Sequence, residues 1–340
     1  MWNLNITQKK FILMKEISFN QYALITQDIK VEELSLDNEI NNKIFYTKFN
    51  DIYVNPKLWS VITSDFYIFN DFERYLSPYK HYKEILIKEN EIKEESKSLS
   101  KINGNFFLFG GEGNYWHFML DFIPRLFCLQ HIPNHNIKII IPDNLPEKFL
   151  NYIIKLSKLL NIKEVNFFKI DSKKFIYYFD SLIFTSKPSI SFSYYFFHKI
   201  LDHNIFKIRS KNLYVKRGKT KNRKVLNEEN LIEKLKIYNY LVIDCADLLI
   251  EDQISIFSKA KNIIIPSGAA MANLLFVPEN INVIEIRSNL DGDFSSRINI
   301  NNKFILHQFE KTLKVGDKLR KDIIVDIDSL EKLIQDKKIF

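Results

Sequence analysis

The chain has 340 residues, 46% of them hydrophobic and 26% charged, with a formal net charge of +8 and two cysteines. That length suits about two domains with a sizeable buried core. Cys128 and Cys245 lie in apolar stretches without CxxC or Cys/His spacing, which excludes a disulfide scaffold and a cysteine-built zinc site and reads as two reduced core residues.

The positive balance favours anionic partners, whether nucleotide phosphates, phospholipid surfaces or nucleic acid, without choosing among them. Met1-Trp2-Asn3-Leu4-Asn5-Ile6 lacks a basic segment followed by an apolar run and a small-residue cleavage site, and no later stretch is apolar for about 18 residues. The expected location is cytoplasmic, with a peripheral contact at the inner face of an anionic membrane compatible with the charge.

From Met1 to about Ser100 short β-rich runs, Ile52-Tyr53-Val54 and Phe66-Tyr67-Ile68-Phe69, alternate with polar turns. The charged segment 88–101 reads as a surface helix or loop. Phe106-Phe107-Leu108-Phe109 is then a strand ending at Gly110-Gly111, and helical spacing runs from Asn114 through Leu129. A strand over 137–141, a helix over 146–160 opened by Pro146 and a strand over 165–170 continue an alternation typical of a parallel sheet.

A second alternating series begins near Asn212, with strands at 213–215, 240–243, 263–265 and 283–286 and helices at 228–237, 251–260 and 270–276. A strand at 323–325 and a helix over 329–338 close the chain. The expected division is 1–209 as one domain whose first 100 residues are variable, 210–310 as a second domain, and 311–340 as a closing segment.

Three features of the second half carry chemistry. The run from Lys216 to Lys224 holds six cations and no acid directly after a strand. Ligands of open α/β sheets bind beyond the carboxyl ends of strands, so Arg217 and Arg223 are placed to grip a diphosphate through forked, charge-assisted bonds. Pro266-Ser267-Gly268-Ala269-Ala270-Met271-Ala272-Asn273 joins a strand to a helix through small residues; small side chains allow close approach, and a helix start offers N–H groups to phosphate oxygens. Neither GxGxxG nor a Walker loop is present. Glu285, at the end of a strand, is a candidate acceptor for ribose hydroxyls. Taken alone, these features also fit a solvated basic loop, a tight turn and an unremarkable acid.

In the first half, His117 and Asp121 are four apart and share a helix face. Either can take a proton from an acceptor hydroxyl, or the two can be a structural pair. No HExxH or nearby third ligand suggests zinc, and no helix-turn-helix, RNP or zinc-finger pattern suggests a nucleic-acid partner.

Two separated blocks resemble glycosyltransferase family 61. The first is Asn114-Tyr115-Trp116-His117 with Asp121 and Pro124-Arg125-Leu126. The second runs from Tyr214 to Glu285 through Arg217, Arg223, Asn227-Glu228, Glu251, Gln253, Phe257, Ala260, Gly268-Ala269, Asn273 and Phe276. Where the family usually places histidine before Gly-Ala, this chain has Ser267.

The resemblance implies an α/β fold of the GT-B type, with two Rossmann-like open sheets facing a central cleft, and no cofactor or metal. It implies inverting transfer from a nucleotide-sugar, UDP-linked by family frequency with CMP or GDP as alternatives, to a hydroxyl of a surface polysaccharide or glycolipid, as in the family's bacterial capsule and lipopolysaccharide enzymes. The implied donor contacts are Arg217, Arg223, Asn227, Ser267, Gly268, Ala269, Asn273 and Glu285. With 1–209 as the acceptor-side domain and 210–310 as the nucleotide-sugar-binding domain, Asn114 and Arg125 fall on the acceptor side. The base is not settled by the resemblance: an acid or an imidazole within reach of the acceptor suffices, and Asp121 is preferred over His117. The alternatives are a non-catalytic nucleotide- or nucleic-acid-binding protein and an inactive acceptor-binding scaffold.

Overall fold

A computed structural model of the chain describes residues 15–17, 31–36, 43–56, 59–65, 67–69, 89–111, 113–132, 136–162, 164–201, 211–218, 220, 223–287, 294–315 and 322–340. The expected domain boundary at 209/210, and Lys219, Lys221 and Asn222 of the basic run, lie outside these residues.

The first sheet contains β1 (Lys15–Ile17), β2 (Val31–Ser35), β3 (Lys43–Asn55), β4 (Ser60–Ile62), β5 (Tyr67–Phe69), β6 (Ile102–Leu108), β7 (Ile137–Pro142), β8 (Asn166–Ile170) and β9 (Tyr177–Thr185). Its order is β1-β5-β4-β3-β9-β6-β7-β8, with β2 also on β3. The strands β9, β6, β7 and β8 run parallel, as the alternation predicts. β3 is antiparallel to β2, β4 and β9, so the sheet is mixed, which corrects the expectation of a Rossmann-like sheet here. The physical reason lies in the connections: only four residues separate β3 from β4, too few for the crossover that parallel neighbours need.

The second sheet is wholly parallel and holds β10 (Lys211–Val215), β11 (Tyr240–Ile243), β12 (Ala260–Pro266), β13 (Asn282–Ile286) and β14 (Ile305–Phe309), in the order β11-β10-β12-β13-β14. Numbered within the sheet this is 2-1-3-4-5, so the winding reverses between β10 and β12. The central strands are buried on both faces, which is why Ile263-Ile264-Ile265 and Val283-Ile284 read as unbroken apolar runs. β15 (Thr312–Val315) and β16 (Asp322–Val325) form an antiparallel pair, tied to Val225 by a parallel bridge between Val225 and Ile323.

Helices cover the sheets as the periodicity dictates. Over Glu147–Leu159, Phe149, Tyr152, Ile153 and Leu156 recur at three- and four-residue steps and are all buried. The helix Ile327–Asp336 starts where the Asp326 side chain accepts a hydrogen bond from Ser329 N at 3.0 Å, and it buries Leu330 and Ile334. Helix Ile190–Ile200 was not predicted from the sequence. No helix among the described residues is long and apolar enough to cross a membrane.

One apolar cluster runs through both sheets, joining Phe107, Phe118 and Leu126 to Leu213, Ile263 and Leu275. Phe197 and Phe276 meet edge to face across this joint, with ring centroids 5.1 Å apart. The two halves therefore share a core.

Candidate active site

The segment predicted as one helix from Asn114 is three short helices: an α-turn over Tyr115–His117, a π-turn over Phe118–Phe122 and a 3₁₀ stretch over Ile123–Gln130. Pro124 explains the break. It has no N–H, and in an α-helix its ring would clash with the carbonyl four residues earlier, so the chain widens before it. Asn114 is exposed and caps the first turn, its side chain accepting from Trp116 N at 3.0 Å.

His117 Nδ1–H donates to Asp121 Oδ2 at 2.8 Å, with the imidazole 19% exposed and the carboxylate 8%. The carboxylate thus lies beneath the ring and orients it, leaving Nε2 as the ring nitrogen outside that bond. Arg125 is fully buried: Nε donates to Asp121 O at 2.9 Å, Nη1 donates to Phe109 O at 3.3 Å, and the guanidinium lies over the Phe122 ring at 5.3 Å. It anchors the π-turn to the end of β6 from inside the protein.

On the second sheet, Arg217 follows β10 and Gly268 follows β12, on either side of the point where the strand order reverses. A methyl group placed on Gly268 would sit 2.0 Å from Arg217 Nη1, so the guanidinium rests against the backbone at the start of the helix Ala269–Phe276. Only a residue without Cβ permits that approach. Arg217 is held from two more sides, its Nε donating to Arg223 O at 3.0 Å and its backbone N to Glu228 Oε1 at 2.6 Å. The same carboxylate oxygen accepts from Tyr214 Oη at 2.8 Å; burial, then the Glu228 charge, pushes the Tyr214 hydroxyl well above its ordinary pKa. Gly218 adopts φ +62°, and a Cβ there would meet Asp244 Oδ2 at 2.5 Å, which fixes the next turn of this loop.

Other expected donor contacts are used inside the protein. Asn227 donates from Nδ2 to Val325 O at 2.8 Å and accepts from Val325 N at 2.9 Å, stitching its loop to β16. Glu285 is fully buried and accepts from Ser267 Oγ at 2.6 Å and from Ser295 Oγ. Arg287 Nε lies 4.0 Å from the same carboxylate. Asn273 is also fully buried. Its Oδ1 accepts from Tyr115 Oη at 2.7 Å, while its Nδ2 donates to Gln253 Oε1 at 2.8 Å.

The structure therefore brings Arg217, Arg223 and Gly268 together, with Ala269 next in the chain, while Asn227, Asn273 and Glu285 hydrogen-bond within the protein. The Tyr115–His117 turn packs on the Ala269–Phe276 helix, which starts right after Gly268. The site expectations omitted two neighbours. Glu228 anchors Arg217, and Arg287 stands one residue beyond β13, its backbone N donating to Phe309 O at 2.9 Å. The carboxyl-end rule would have found Arg287, because it directly follows the Glu285-Ile286 strand end. Among the described residues, no group of three or more His, Cys, Asp or Glu side chains comes together as a metal site.

The family model described as Glycosyltransferase 61 matches residues 115–284, from the Tyr115 turn to the penultimate residue but one of β13. The chain is thus a glycosyltransferase, an enzyme with a sugar donor and an acceptor. It belongs to glycosyltransferase family 61. Among solved structures, the E. coli heptosyltransferase WaaC with ADP-2-deoxy-2-fluoro heptose is similar at a TM-score of 0.32 and 8% identity, over 69% of this chain and 100% of that one. No curated protein matches the sequence.

Proposed function

We propose that the enzyme transfers a sugar, with inversion and without a metal, from a nucleotide-sugar to a hydroxyl of a surface polysaccharide or lipid-linked glycan. The observation that carries this reading is the Arg217 guanidinium seated on Gly268 at the reversal point of a parallel sheet, where open α/β sheets bind nucleotides.

In this reading Arg217 and Arg223 grip the diphosphate, and the first N–H groups of the Ala269–Phe276 helix add partial positive charge. As the glycosidic bond lengthens, negative charge gathers on the departing diphosphate, and these fixed donors stabilise it. The acceptor hydroxyl attacks the anomeric carbon from the opposite side, which inverts its configuration. His117 Nε2 takes the hydroxyl proton, while Asp121 fixes the tautomer and supports the imidazolium. The sequence preferred Asp121 as the base; the carboxylate's burial under the ring favours His117 in that role, with Asp121 orienting it.

A UDP-linked donor, a GT-B arrangement and work at the cytoplasmic face of a membrane belong to the same proposal. A thermal-shift screen against UDP, GDP, CMP, ADP and their common sugars, with EDTA present, tests it. A rise in melting temperature with one nucleoside diphosphate, absent in Arg217→Ala, is the expected result. No shift with any of them, with or without added magnesium, would sink it.

A further inference from the structure

A buried chain of hydrogen bonds connects the two halves of the candidate site. It starts at Tyr115, two residues before His117, whose Oη donates to Asn273 Oδ1 at 2.7 Å. Asn273 Nδ2 donates to Gln253 Oε1 at 2.8 Å and points to Cys245 Sγ at 3.7 Å. Gln253 Nε2 in turn donates to Cys245 O at 2.9 Å and Leu248 O at 3.4 Å. The two backbone carbonyls at the far end can only accept, which forces Gln253 to present its oxygen to Asn273. Asn273 must then present its own oxygen to Tyr115, so the tyrosine must donate. Burial, then the neighbouring Cys245 and Tyr152, pushes the Tyr115 hydroxyl well above its ordinary pKa, which keeps that proton in place.

Each end of the chain lies next to a residue of the site. Tyr115 shares a helical turn with His117. Asn273 sits on the helix that follows Gly268. Cys245 adjoins Asp244, whose carboxylate lies against Gly218, next to Arg217. Gln253 and Asn273 are 1% and 0% exposed, so this network is shielded from water, where a broken link is not repaired by solvent.

We propose that Tyr115, Asn273 and Gln253 are positioning residues, which set the His117–Asp121 pair relative to the Arg217–Gly268 contact and so hold the proton acceptor in line with the bound donor. This rests on the transferase reading above. It goes beyond it by assigning alignment of the two half-sites, not ligand contact, to these residues. A rigid link of this kind raises the rate of the chemical step without contributing to donor affinity.

The test is steady-state release of nucleoside diphosphate from the nucleotide-sugar that gives the largest thermal shift, measured on the full chain. Tyr115→Phe removes only the donor hydroxyl, and Gln253→Met keeps the side-chain length while removing the amide. Either variant should lower kcat about tenfold or more while donor KM stays within about threefold and the pH–rate profile keeps its shape. The double variant should be no slower than the worse single one, because both break one chain. Should Tyr115→Phe fail to fold, Gln253→Met carries the same expectation. Wild-type kcat in the folded variants, or a KM that rises in step with the loss of kcat/KM, would overturn this proposal alone. Absence of turnover by the wild type would overturn the transferase reading with it.

Discussion

Replacing Gly268 by alanine isolates the contact on which the donor site is built. Gly268 has φ 170° and ψ −174°, extended backbone that alanine adopts without strain. The new methyl would lie 2.0 Å from Arg217 Nη1 and 3.0 Å from its Cζ, so the guanidinium must swing away and give up its 3.0 Å bond to Arg223 O. Because the displaced group is the far end of a flexible, partly buried side chain, the fold should lose only about 1 kcal/mol. Donor binding should lose a charge-assisted contact, about 1.5–3 kcal/mol, or roughly 10- to 150-fold in Kd. Calorimetric titration with the nucleoside diphosphate, alongside a urea melt, measures both quantities. Gly268→Ala should add almost nothing to Arg217→Ala, since both remove the same contact. Nucleotide affinity within about twofold of wild type would refute the reasoning.

Three further substitutions separate the roles assigned here. Asp121→Asn should leave donor binding intact and lower kcat by about 10² to 10⁴, because an amide facing Nδ1 favours the tautomer with the proton on Nε2; single-turnover rates check this, and unchanged rates would remove the pair from the chemistry. Asn227→Ala should destabilise the fold by about 2 kcal/mol in urea by detaching β16, with donor affinity unaltered; lost affinity at full stability would return Asn227 to the ligand. Lys303 is buried, donates to Leu275 O at 3.1 Å and lies 3.0 Å from His198 Nε2 and 4.6 Å above the Tyr194 ring, and desolvation lowers its pKa to about 7, opposed by the Glu279 charge. A lysine depressed in the folded state leaves the unfolded chain binding more protons above pH 7, so its contribution to stability grows as pH rises from 7 toward 10.5. Between about pH 7 and 9 the wild type should therefore gain up to about 2 kcal/mol relative to Lys303→Met, and a pH-independent difference would contradict the burial of a charged amine.

The second half was the more legible because parallel strands buried on both faces appear as unbroken apolar runs, and β10 to β13 were placed within a few residues. The first half was harder. Helix Ile190–Ile200 is crowded with aromatics and lacks a polar stripe, so it shows no helical period. In the second half a strand that escaped is β14, whose sequence, Ile-Leu-His-Gln-Phe, mixes apolar and polar residues without clear alternation. Contacts that depend on local spacing could be read directly: the His117–Asp121 pair from its four-residue separation, and the approach of Arg217 to Gly268 from their places after strands. The inward roles of Asn227, Asn273 and Glu285 could not, because each is defined by partners 10 to 158 residues away in the chain. An asparagine that binds a ligand and one that pins a strand look the same until packing is known.

The most direct test of the donor site is a calorimetric titration of the wild type and Arg217→Ala with the nucleoside diphosphate found in the screen and with its parent nucleoside. The account expects the wild type to bind the diphosphate far more tightly than the nucleoside, and the variant to lose most of that difference while its nucleoside affinity stays the same. Equal affinities for the two ligands in the wild type, or a diphosphate preference that survives in Arg217→Ala, would contradict a phosphate grip at Arg217.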